Sequence, residues 1–63
     1  MKTIFESINV SEERVNGMYV YTWINCPSYI TEVCTNRMQS KSKLTLTDLI
    51  RWKNDLIAVV ISI

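Results

Sequence analysis

The sequence predicts an α+β fold: a small antiparallel sheet of about three strands packed by one C-terminal amphipathic helix, in ββα order. Three observations predict it. An Asn16-Gly17 pair leads into an unbroken aromatic and β-branched run, Met18 to Ile24. Apolar residues recur at helical spacing from Leu49 to Ile63, behind a Thr45–Asp48 capping pattern. One Gly and one Pro interrupt 63 residues, 48% of them apolar, so the chain reads as one small domain, residues 1–63.

The elements follow in order. Over residues 3–10, Ile4, Ile8 and Val10 share one alternating face, with Glu6 as the exception, and Phe5, Ser7 and Asn9 share the other. This suits a half-buried strand. A helix is the alternative, because Thr3 and Glu6 have capping-box spacing and Ile4 and Ile8 lie one turn apart. Asn16-Gly17 then supplies the two positive-φ positions of a type I′ hairpin turn. A two-residue turn pairs Val15 with Met18, Glu13 with Val20 and Val10 with Trp23. The polar segment Ser11–Arg14 either joins that pairing or forms a helical turn capped by Gly17. Met18 to Ile24 is a strand that is apolar on both faces, with Tyr19, Tyr21 and Trp23 on one of them.

Cys26-Pro27-Ser28 ends this strand, since Pro cannot donate to the ladder. Residues 29–36 have strand-forming composition and predict a third antiparallel strand. The alternative is a helix over 29–38, giving ββαα order, with Pro27 near its start and Ile30, Val33, Cys34 and Met38 on one stripe. Residues 37–44 read as a polar loop. A helix then starts at Thr45 or Thr47. Leu49, Trp52, Leu56, Val59 and Ile63 form its stripe, widened by Ile50, Ile57 and Val60 and opposed by Arg51, Asp55, Ala58 and Ser62. The β-branched Val59-Val60-Ile61 weaken its end, which is placed near residue 60.

Composition narrows the function. The length excludes large catalytic architectures such as barrels and doubly wound sheets. Net charge is +1, too near neutral to mark a nucleic-acid binder by itself. The charge is uneven. Lys2 and Arg14 stand against Glu6, Glu12, Glu13 and Glu32, whereas Arg37, Lys41, Lys43, Arg51 and Lys53 stand against Asp48 and Asp55. A solvated loop and helix face is the plainer reading of the basic segment 37–53, and a phosphate-binding patch the sharper one.

The N-terminus has no apolar signal core, and Cys26 and Cys34 are too few for a disulfide framework. Two reduced thiols in a cytoplasmic protein are therefore expected. Residues 56–63 are apolar but too short to span a bilayer, and charged residues precede them, so a membrane role is disfavoured.

Catalytic and metal chemistry find little support. With no His in the chain, neither thiol has an imidazole base and a four-ligand zinc site is not composed. The sole Gly lies in the Asn-Gly turn, so no glycine-rich phosphate cradle is present. Glu12 and Glu13 are adjacent and face opposite ways on a strand, which suits no acid–base pair. No cofactor, no metal and no enzymatic activity are expected.

Binding is what remains. Tyr, Trp, Met and Arg are the residue types enriched at interface centres. The expectation is a protein–protein interaction module, with Tyr19, Tyr21, Trp23, Arg37, Lys41, Lys43 and Arg51 as candidate contact residues. Size class alone suggests a stoichiometric inhibitor of a larger host protein, of the phage or mobile-element kind. A homodimer is a second form of partner. The alternative function is nucleic-acid binding, with the sheet aromatics stacking bases and the 37–53 segment holding phosphates. Each of these aromatics has a plainer role in the core.

Overall fold

A computed structural model describes residues 2–62. Its elements are β1 (Lys2–Phe5), β2 (Val10–Val15), β3 (Met18–Trp23), a short helix α1 (Ser28–Thr31), β4 (Arg37–Ser40) and the long helix α2 (Leu46–Ser62). The four strands form one antiparallel meander in the order β1-β2-β3-β4. The α+β class is as expected, with four strands rather than three.

The central hairpin follows the sequence directly. Asn16 has φ 52° and Gly17 φ 80°, the pair of positive values that a type I′ turn requires. Val15 pairs with Met18, Glu13 with Val20 and Val10 with Trp23, the register a two-residue turn dictates. The Ser11–Arg14 segment is therefore strand, not a helical turn.

Three expectations are corrected. The strand expected over 3–10 stops at Phe5. Glu6–Ile8 form a 3-10 turn, and Asn9 takes φ 52°, a conformation its short amide side chain tolerates. The Asn9 carbonyl then accepts from the Ile24 N–H at 2.7 Å, so the chain re-enters the sheet as β2. The strand expected over 29–36 is absent: Ser28–Thr31 is helical, and the Cys34 N–H still bonds back to the Ile30 carbonyl at 2.8 Å. Pro27, with ψ 143°, sets the entry to that turn, and local bonding overrides β-propensity. The polar stretch expected to be a loop supplies β4, whose Met38 faces Tyr21 and whose Arg37 faces Thr22.

Helix α2 starts as its capping pattern dictates. The Asp48 N–H donates to Thr45 Oγ1 and the Thr45 N–H to Asp48 Oδ2, each at 3.2 Å. The helix runs unbroken through the β-branched Val59-Val60-Ile61 to Ser62. It lies over one face of the sheet and also packs against α1. The core there is Val10, Tyr21 and Leu49, flanked by Phe5, Ile8, Tyr19, Met38, Leu44 and Trp52. Trp52, on α2 itself, is thus a packing residue between the helix and the sheet. No helix among the described residues is long and apolar enough to cross a membrane.

Candidate functional site

The strand pairing decides which way the aromatic row points. Residues directly opposite each other in an antiparallel sheet share a face. Val10 lies opposite Trp23, and Glu12 opposite Tyr21. All four are buried, so this face is the one α2 covers. Tyr21 is 0% and Trp23 7% exposed. Tyr19 is half-buried, with the Arg14 guanidinium 5.2 Å over its ring. The row therefore presents no open platform on which bases could stack.

The burial of Tyr21 comes with a polar network. Its O–H donates to Glu12 Oε2 at 2.7 Å and accepts from the Leu44 N–H at 2.9 Å. Glu12 is only 7% exposed. Lys43 Nζ reaches its other oxygen at 3.7 Å from a largely exposed position. Burial raises the Tyr21 phenol above its ordinary pKa, and the Glu12 carboxylate adds to that shift against the Leu44 N–H bond. Chemically this network ties the 41–44 loop to the sheet. It offers no reacting group to solvent.

The cationic candidates are dispersed. Arg37 opens β4 opposite Thr22, which puts it on the face away from α2. Lys41 and Lys43 are exposed beyond the other end of that strand, and Lys43 turns toward Glu12. Arg51 is exposed on the outer side of α2, with Asp55, Ala58 and Ser62 exposed nearby. These side chains do not share one face with the aromatic row. Cys26 and Cys34 are both free and half-buried. Burial pushes the Cys26 thiol above its usual pKa, opposed by Lys53 and reinforced by Cys34. No group of three or more metal-ligating side chains occurs among the described residues.

The structure instead brings together residues that were not among the candidate contacts, with Trp23 as the exception. At 100° per residue, the apolar arc of α2 runs from Val59 round to Ile61, roughly 200°. One sheet face cannot cover that width. Leu49 is fully buried, whereas Leu46, Ile50, Val59 and Ile61 are 47%, 44%, 48% and 77% exposed. Beside Leu46, Ile50 and Ile61, which share one edge of that arc, a cleft of about 310 Å³ opens between the 3-10 turn and α2, lined by Ser7, Ile8, Trp23, Ile50, Lys53, Asn54 and Ile57. Lys53 stands 4.7 Å over the Trp23 ring, and its ammonium donates to the Ile8 carbonyl. A helical projection wide enough to include Leu46 and Ile61 was the signal that could have found this flank.

The chain matches no protein-family model, and comparison with curated proteins and with solved structures returns no match.

Proposed function

We propose that this chain is a non-enzymatic docking module that acts by binding another protein. The observation that carries the reading is the exposed apolar flank of α2, Leu46, Ile50 and Ile61, bordering an apolar cleft. Exposed apolar side chains that continue into a concave apolar site mark a contact surface more often than scattered ones do. The buried aromatic row shifts the contact set. Of the original candidates, Tyr21 and Trp23 serve the core, and the helix flank takes over the docking role.

Stoichiometric inhibition of a larger protein is the form we favour, since an exposed apolar flank beside a cleft can act by occupying a partner's surface. A phage or mobile-element origin fits a small inhibitor of this kind. A cytoplasmic setting agrees with the two unpaired thiols. Nucleic-acid binding gains no support from the geometry, because Tyr21 and Trp23 are buried and Arg37, Lys41, Lys43 and Arg51 do not share their face.

Affinity capture with nuclease treatment tests this reading, using the wild type beside Leu46→Glu and Ile61→Glu. Both positions are exposed, so the variants keep the fold. A protein retained by the wild type after nuclease treatment and lost from both variants is the expected result. Retention of nucleic acid alone, lost on nuclease treatment, contradicts it.

A further inference from the structure

The cleft beside the Glu6–Ile8 turn makes two demands on an occupant. Ile8, Trp23, Ile50 and Ile57 give it apolar walls, interrupted by the polar Ser7 and Asn54. Its cation is Lys53, an ammonium with three donors and no acceptor. One donor is taken by the Ile8 carbonyl. Among the described residues Lys53 forms no ion pair; the pair present is Lys43–Glu12. The ammonium also rests over the Trp23 ring, and its remaining donor capacity serves ligand oxygens at a partly desolvated position where a charge-assisted bond is stronger than in open water.

We infer that this cleft seats the free C-terminal residue of a partner chain, with a large apolar side chain against Trp23, Ile50 and Ile57 and the α-carboxylate on Lys53. The inference rests on the docking reading and names the chemistry of the partner. The two demands lie close together, because the ammonium is 4.7 Å from the centre of the Trp23 ring. An Asp or Glu side chain brings a carboxylate without an apolar group on the same residue. An internal Leu or Phe brings the apolar group without the charge. A C-terminal Leu, Ile or Phe carries both on one α-carbon. The cleft also runs into the exposed Leu46, Ile50 and Ile61 flank, which the residues preceding that terminus would cover and a free small acid would leave bare. A second copy docked flank to flank about Lys53 would instead oppose two ammonium groups.

The test uses an N-acetylated tetrapeptide, three alanines followed by phenylalanine, as the free acid and as the C-terminal amide. A third probe, 3-phenylpropionate, carries the same phenyl group and carboxylate without a peptide. Binding is read from the amide NMR shifts of Ser7, Ile8, Lys53 and Asn54. The free acid is expected to bind about tenfold more tightly than the amide, and more tightly than 3-phenylpropionate. Lys53→Met should erase the acid preference and Lys53→Arg should keep it. The comparison of acid with amide on the wild type needs no variant to fold. Equal binding of acid and amide, or binding of neither, overturns the inference. Equal binding of 3-phenylpropionate and the peptide acid also overturns it, in favour of a small-molecule site. A partner captured through Leu46 and Ile61 without any acid preference refutes the terminus and leaves docking intact. An acid preference without any captured partner supports the cleft and refutes the docking reading.

Discussion

Replacing Tyr21 by Phe removes one oxygen from the centre of the molecule and leaves the ring volume in place. Two partners lose a bond: the buried Glu12 carboxylate and the Leu44 N–H. A hydrogen bond to a charged group contributes about 1.5–3 kcal/mol, and a buried group left unpaired costs about 1–3 kcal/mol. Lys43, 3.7 Å from Glu12, offsets part of this. The expected loss is about 2–4 kcal/mol. A domain of this length has roughly 3–9 kcal/mol of stability in total. Tyr21→Phe should therefore lower the urea midpoint by at least about a fifth, and by about half at the middle of both ranges, with little change in the slope of the transition. The same substitution should remove an alkaline effect. The folded Tyr21 phenol has a raised pKa, so it binds its proton more tightly than the unfolded one. Its contribution is fully present below about pH 10 and is lost as pH rises through the folded value. Urea unfolding followed by circular dichroism at pH 7 and above pH 10 measures both effects. A loss under about 0.5 kcal/mol at pH 7 would refute the idea that this network holds the 41–44 loop to the sheet.

Other perturbations probe other elements. Trp23→Ala should cost about 3–5 kcal/mol in urea unfolding followed by far-UV circular dichroism, whereas Ile61→Glu should melt within a few degrees of wild type. Gly17→Ala meets no neighbour within 4 Å, so only its φ of +80° is strained. The expected cost is about 1–2 kcal/mol, a fall in Tm of at least about 4 °C. Thr45→Ala removes the helix cap and should cost about 1 kcal/mol in urea unfolding at pH 7. Bonds from the Thr45 N–H, then from its hydroxyl, hold the Asp48 carboxyl below its usual pKa. That contribution is present above the ordinary carboxylate range and is lost as pH falls through the folded value, so an acid titration of Thr45→Ala should show a smaller acid-side loss than wild type. Cys26, its thiol pushed up by burial, should be alkylated more slowly than free cysteine at pH 8.

The parts of the fold that were legible in the sequence are those set by local chemistry. Asn16-Gly17 dictates its turn, the turn dictates the register from Val15–Met18 to Val10–Trp23, and Thr45 with Asp48 dictates where α2 begins. The parts that were not legible depend on tertiary partners. β4 has no hydrophobic alternation over Arg37–Ser40 and is a strand because β3 offers it a ladder. Residues 29–36 carry strand-forming side chains, yet backbone bonds to Pro27, Ser28 and Ile30 close a helical turn there first. The site was obscured for a related reason. A period of two shows that Tyr19, Tyr21 and Trp23 share a face but not which face is covered. Once α2 claims that face, apolar surface is left exposed on the helix, where its arc is wider than the sheet beneath it, as well as at Ile4, Val15, Tyr29 and Val33.

The most direct test is a calorimetric titration of the captured partner with wild-type protein and with Ile61→Glu, run alongside an assay of the partner's own activity. A one-to-one endpoint is expected with wild type, together with loss of the partner's activity in proportion to occupancy and at least about tenfold weaker binding of the variant at an unchanged melting temperature. Equal binding of the variant and wild type would contradict the proposed function, because the exposed flank of α2 would then not be the docking surface.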